Sequence, residues 1–198
     1  GDALAVARIA ERAGQKQLAE QFRAKAATLK QLVQEKLWDP QARFFKVLPR
    51  GESNRWSDAR EEHGYTPWYF DLPGPDKSVA WKQIMDPLGF YAPFGPTTAE
   101  RRHPQFAVAY TGHECQWNGP SWPFATAVTL TALANLIERD GFAPSPELLS
   151  QILTSTKDPE AEVRSGSLNC LRALQVTVAS CAADEDRREA IAAAIDAL

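Results

Sequence analysis

Apolar residues recur at helical spacing along most of the chain. Leu4, Val6, Ile9, Ala10 and Ala13 predict a helix over residues 3–13, stopped by Gly14. Leu18, Phe22, Ala26, Leu29, Val33 and Leu37, with Lys, Glu and Gln between them, predict its antiparallel partner over 16–37. Asp39-Pro40 ends that hairpin, and Phe44 to Leu48 reads as a short extended segment. Thr66-Pro67 starts a short helix closed by Pro73-Gly74-Pro75, and Asp76 is placed to cap a helix through Met85. Trp38 and Trp81 fall at apolar helical positions and are expected in the core. Pro120 and Pro123 fix φ and lack an N–H, so they are tolerated where a helix is starting. The helix expected over 121–139 carries Leu130, Leu133, Ala134 and Ile137 on an apolar stripe and stops at Gly141. A further helix is expected over 146–155.

Past Thr156 the character changes. Phe142 is the last aromatic residue of the chain. Asp158-Pro159 opens a helix with Val163, Leu171, Leu174 and Val178 on one face, weakened by Gly166, and Asp184 caps a final one. The expected organisation is thus a first unit over 1–156 and an atypical helical tail over 157–198, the product of a shifted frame, a fusion or a divergent end.

Composition narrows the partners. With 198 residues, 44% hydrophobic and 24% charged, the chain has enough apolar residues for one core. A net charge of −3 gives no basic footprint, so neither nucleic acid nor an anionic membrane is an expected partner. No apolar run approaches transmembrane length. The three cysteines, Cys115, Cys170 and Cys181, lack a CxxC and lack a His at ligand spacing, so no disulfide framework, metal site or cofactor is indicated. Free thiols favour the cytoplasm; any signal peptide would lie upstream of Gly1.

The candidate chemistry sits in two polar-aromatic clusters. In Cys115 to Thr126, Trp117 and Trp122 flank a helix start beside the amides of Gln116 and Asn118, which predicts a flat apolar platform edged with hydrogen-bonding groups. Sugar rings need that combination. The second cluster, Glu61 to Phe70, contains Trp68. Between them, residues 86–111 form a long loop rich in Pro, Gly and aromatics, the kind that usually carries function.

Trp117-Asn118-Gly119-Pro120-Ser121-Trp122-Pro123-Phe124 resembles the hallmark of the mannosylglycerate hydrolase-like glycoside hydrolases, within the broader group of six-hairpin glycosidases that includes trehalases. Glu35 to Asp39, Arg60-Glu61 with Gly64-Tyr65 and Pro67 to Phe70, and Gly89 to Glu100 resemble the same family in the same order, together covering roughly residues 1–156. The resemblance implies an all-α fold, part of an incomplete (α/α)6 toroid. It also implies inverting hydrolysis of α-linked glucosyl or mannosyl oligosaccharides and glycosides, with an oligosaccharide or small glycoside as partner. Inversion uses an acid and a base about 6.5 to 9.5 Å apart. Neither carries over: the family's Asp belongs to a segment that would precede Gly1, and its Glu to the stretch that differs after Thr156. The chain alone is therefore expected to be inactive, and no catalytic residue is assigned.

Glu61, Trp68, Tyr91, Gln116, Trp117, Asn118 and Trp122 are the candidate substrate contacts. Glu61 is either a cleft carboxylate or an ion-pair partner of Arg60. Trp68, Trp117 and Trp122 either stack on sugars or fill the core. Gln116 stands where the family often has Glu. Glu62-His63 replaces residues usually apolar in the family, and His63 is expected to be exposed. His103 and His113 lack a paired nucleophile, and Glu160 and Glu162, in a helix's first turn, suit the helix dipole. Two further readings stay open: a non-catalytic glycan-binding module, and a helical scaffold whose aromatics are only core.

Overall fold

A computed structural model describes residues 1–52, 55–93, 95–109, 112, 115–180 and 189, with side chains to residue 176 in the last long helix. The fold is all-α: α1 (Asp2–Arg12), α2 (Lys16–Leu32), α3 (Thr66–Tyr69), α4 (Pro123–Asp140), α5 (Pro146–Ser155) and α6 (Ala161–Ser180), with one two-stranded ribbon, β1 (Trp38–Asp39) and β2 (Phe44–Phe45). The expected final helix after Asp184 lies outside the described residues.

α1 and α2 form the hairpin that the periodicity predicts. Ala7, Ala10 and Ala19 are buried between them, where small side chains let two helices approach closely. Leu4, Ile9, Leu18, Leu29 and Leu32 remain exposed, so much of the apolar stripe is uncovered, as in a toroid lacking neighbouring hairpins. The second helix ends earlier than expected: a π-helical turn over Val33–Leu37 unwinds it, and Trp38 enters β1 rather than continuing the helix. Asp39 drives the reversal. Its Oδ1 accepts from the N–H groups of Gln41 (2.9 Å) and Ala42 (3.0 Å), and the antiparallel register pairs Trp38 with Phe45 and Asp39 with Phe44.

Phe44, Phe45, Tyr65, Trp68, Trp81 and Phe90 build an aromatic centre below this ribbon. Its pairs are largely edge-to-face: Phe44–Tyr65 at 5.1 Å, Phe45–Trp68 at 5.4 Å and Trp68–Trp81 at 5.6 Å between centroids. The segment expected as a helix capped by Asp76 is instead a 3-10 helix over Pro75–Gln83 preceded by Gly74; Asp76 pairs with its neighbour Lys77 at 2.6 Å. Trp81 is core, as expected.

α4 is the spine. It starts at Pro123, two residues later than the spacing suggests, because Trp122 keeps an extended backbone and serves as N-cap. Leu130, Leu133, Leu136 and Ile137 meet Leu148, Leu149 and Ile152 of α5 and Val163 and Leu174 of α6 in one cluster. At α3 the Asn135 amide donates to the carbonyls of Trp68 (3.1 Å) and Tyr69 (3.0 Å), satisfying groups that a short helix leaves open.

The tail packs closely on this spine. α6 runs along α4, and at Gly166 a Cβ would sit 2.9 Å from Leu130 Cβ and 3.3 Å from the Ala127 carbonyl. Gly166, read from sequence as a weak point of the helix, is a place where α4 leaves little room for a side chain. Cys170 Sγ–H donates to the Leu130 carbonyl at 3.0 Å beside it. α6 buries Val163, Ser167, Cys170, Ala173 and Leu174 rather than centring on Leu171.

Candidate functional site

Three segments distant in sequence meet at one end of α4. Thr98 joins them: its carbonyl accepts from the N–H of Glu62 (2.8 Å), while its hydroxyl accepts from the N–H of Gly119 (3.1 Å) and donates to the Pro120 carbonyl (3.0 Å). Glu61 pairs with Ala99 in an isolated antiparallel bridge, and Ser121 Oγ donates to the Gly95 carbonyl at 3.0 Å. Residues 95–100 thus form a strut between the Glu61 segment and the indole loop. Gly119 has no room for a side chain, since a Cβ there would lie 2.1 Å from the Ala107 carbonyl.

Buried charge fixes one edge of the strut. Glu100 accepts from Arg60, Nη1 to Oε2 at 2.7 Å and backbone N–H to Oε1 at 2.9 Å, and Arg102 Nε lies 3.3 Å from Oε2. Arg60 also donates to the Ala42 carbonyl. Arg60 is therefore committed to Glu100, not to its sequence neighbour. Glu61 is half-buried, and its carboxylate has no ion pair or hydrogen bond among the described residues. It lines a cavity of about 280 Å³ with Val33, Lys46, His63 and Phe70.

The indoles do not lie side by side as a flat platform. Trp117 and Trp122 are parallel within 1° at 5.1 Å between centroids, and the His63 ring stacks on Trp117 at 5.4 Å and 20°. The cause is local: Trp122 Nε1–H donates to the Gln116 carbonyl at 2.9 Å, which folds the second indole back over the first. Such offset stacking leaves part of each ring uncovered. Trp117 remains 39% exposed, Trp122 and Gln116 are half-buried, and His63 is exposed as expected. Asn118 is half-buried and partly structural: its Nδ2 donates to the Gln105 carbonyl at 2.6 Å and its own backbone carbonyl accepts from Ala107 N–H, while Oδ1 is buried without a partner among the described residues.

Two candidates stand elsewhere. Trp68 is 0% exposed, enclosed by Phe45, Tyr65 and Trp81, so stacking on a sugar is corrected to a core role. Tyr91 lines a separate cavity with Pro87, Pro146 and Gln151, whose lining shares no residue with the cavities around His63. His103 accepts from Gln105 N–H at Nδ1 (3.2 Å) and faces Asp58 with Nε2 (3.3 Å), so both ring nitrogens are occupied. His113 lies outside the described residues. Glu160 and Glu162 are exposed at the start of α6.

Glu62, which the sequence did not mark as a site residue, is the buried carboxyl of this region. It is 3% exposed, accepts from Thr129 Oγ1 at 3.0 Å through Oε1, and has no partner at Oε2 among the described residues. Burial pushes its carboxyl well above the usual range, and the Thr129 hydrogen bond offsets this only in part. A signal was available: Glu62, Tyr65 and Trp68 recur at three-residue spacing through a 3-10 turn (Glu62–Tyr65) into α3, which points all three inward.

Comparisons with known proteins give these features a family. No curated protein matches the chain. Among solved structures, a sialidase superposes with a TM-score of 0.67 at 33% identity, over 88% of this chain and 18% of that one. The chain therefore spans less than a fifth of that protein's length. The mannosylglycerate hydrolase MGH1-like glycoside hydrolase domain matches residues 1–165, nine residues past Thr156 and into α6. The chain belongs to that glycoside hydrolase domain family.

Proposed function

We propose that this chain supplies the C-terminal part of an (α/α)6 catalytic domain that hydrolyses α-linked glucosyl or mannosyl oligosaccharides and glycosides with inversion. Its contribution is one wall of the substrate cleft. The observation that carries this role is the exposed His63–Trp117–Trp122 stack, two residues from a Glu61 carboxylate without a partner among the described residues. Partly uncovered indole faces suit the apolar face of a pyranose, and an unpaired carboxylate accepts from sugar hydroxyls.

Binding of this kind does not by itself accelerate hydrolysis. Contacts equal in ground and transition states improve affinity without raising the rate of chemistry, whereas each positioned acid or base contributes about 10² to 10⁴. Glu61 is one carboxylate, and inversion requires two on opposite sides of the bond. The purified chain is expected to bind methyl α-glucoside or methyl α-mannoside and to hydrolyse neither. Trp117→Ala and Glu61→Gln should each weaken binding at least fivefold while leaving the circular dichroism spectrum unchanged. Turnover by the chain that disappears in a Glu160→Ala, Glu162→Ala double variant would refute the division of labour. Unaltered affinity in both binding variants would refute the site.

A further inference from the structure

A second cavity, of about 380 Å³, opens beside the indole stack, lined by Glu62, His63, Tyr69, Phe70, Phe124 and Val128 among others. His63 is shared: it lines this cavity and stacks on Trp117. We propose that this cavity is an aglycone pocket, which takes an aromatic or apolar group attached to the sugar, with the Glu62 carboxyl donating a hydrogen bond from Oε2 to an oxygen on that group. The inference rests on the cleft reading for the sugar, but its own evidence is separate.

The lining favours an apolar ligand over a second sugar. The wall is built from Tyr69, Phe70, Phe124, Ala125 and Val128, with Glu62, Thr66 and Thr129 as the polar residues besides His63. A pyranose carries several hydroxyls, and each one buried without a partner costs about 1–3 kcal/mol. An aryl group needs one partner at its attached oxygen. The volume is also sufficient, since a cavity of about 150 Å³ admits benzene.

Glu62 supplies that partner. Oε1 is held by Thr129, which leaves Oε2 to carry the proton of the neutral form; Oε2 is buried and has no acceptor among the described residues. The upward push of burial favours the neutral carboxyl, the form that donates. Oε2 is covered in the free chain, so the proposed hydrogen bond requires the cavity wall to move locally; Tyr69 (40% exposed) and Phe124 (66% exposed) are the exposed aromatic side chains of that wall. A polar atom left unpaired at the wall of an apolar pocket has the layout of small-molecule sites generally: an apolar lining with a few placed polar groups.

The test titrates the full chain with methyl α-glucoside, phenyl α-glucoside and free phenol, with wild type, Phe124→Ala, Glu62→Gln and Glu62→Leu. The phenyl glycoside is expected to bind at least tenfold tighter than the methyl glycoside, with phenol competing for the difference. Phe124→Ala should cut that preference below threefold; the site is exposed, so this variant keeps the fold even where Glu62→Leu does not. Glu62→Gln, which retains a donor, should stay within threefold of wild type, and Glu62→Leu should lose the preference. Phenol binding that survives Trp117→Ala while methyl α-glucoside binding does not separates the pocket from the sugar wall. Equal affinity for the phenyl and methyl glycosides, or a preference that persists in both Phe124→Ala and Glu62→Leu, overturns the proposal. Loss of methyl α-glucoside binding alone would leave the pocket standing and defeat only the cleft reading.

Discussion

Thr129→Val probes the buried carboxyl directly. Valine nearly matches threonine in shape, so the substitution removes the hydroxyl that donates to Glu62 Oε1 at 3.0 Å and little else. Oε2 already lacks a partner among the described residues and Glu62 is only 3% exposed, so water does not replace the lost bond. An unsatisfied buried acceptor costs about 1–3 kcal/mol. With a urea m-value of ~2 kcal/mol/M, the denaturation midpoint should fall by roughly 0.5–1.5 M. In a Glu62→Leu background the same substitution meets an apolar neighbour and should be nearly neutral, because replacing both partners of a hydrogen bond removes the unpaired group. The four-variant cycle by urea denaturation isolates the pair, with an expected coupling of about 1–2 kcal/mol. If Thr129→Val costs the same in both backgrounds, the hydroxyl is not Glu62's partner. That result would also remove the reason for placing the Glu62 proton on Oε2.

Other expectations follow from the same geometry. Burial raises the Glu62 pKa well above its ordinary value of 4.5 in the folded chain, so the stability contributed by its neutral form is complete below that ordinary value and is lost as pH rises toward the elevated folded one; the stability of Glu62→Gln relative to wild type, by denaturation at pH 4 and pH 8, should rise with pH. A difference that falls with pH would show the carboxylate to be stabilised in place. Burial pushes the Cys170 thiol up to about 12 while Cys115 is exposed, so iodoacetamide at pH 8 followed by peptide mapping should find Cys115 alkylated and Cys170 protected in the native chain. Gly166→Val forces branched carbon against Leu130 and the Ala127 carbonyl and should cost about 1–3 kcal/mol in urea denaturation, despite valine's better helix propensity. Wild-type stability in that variant would mean α6 does not pack closely on α4 in solution.

Periodicity alone determined where most helices run. Helical spacing is a local property, set by which side chains must share a face, so α1, α2, α4 and α5 were legible to within a few residues, the end of α2 excepted. The motifs around Arg60, Gly95 and Trp117 were equally legible as a constellation, because their residue types are unusual together. Their joint was not: Thr98 binds across about twenty residues in one direction and thirty-six in the other, a partnership that no local pattern encodes. The same limit explains the indoles. Spacing put Trp117 and Trp122 at a helix start, but the Trp122 hydrogen bond to Gln116 decided that they stack on each other. Trp68 and Trp117 are alike in composition and setting; only the aromatic centre around one made it core and left the other at the rim. Glu62 and Gly166 show the point most sharply. Glu62 stands where the family is usually apolar and a glycine in a helix reads as weakness, but only the tertiary packing sets one against Thr129 and the other against the backbone of α4. A chain's own sequence fixes which faces are apolar, but which element covers each face is decided by contacts between segments far apart.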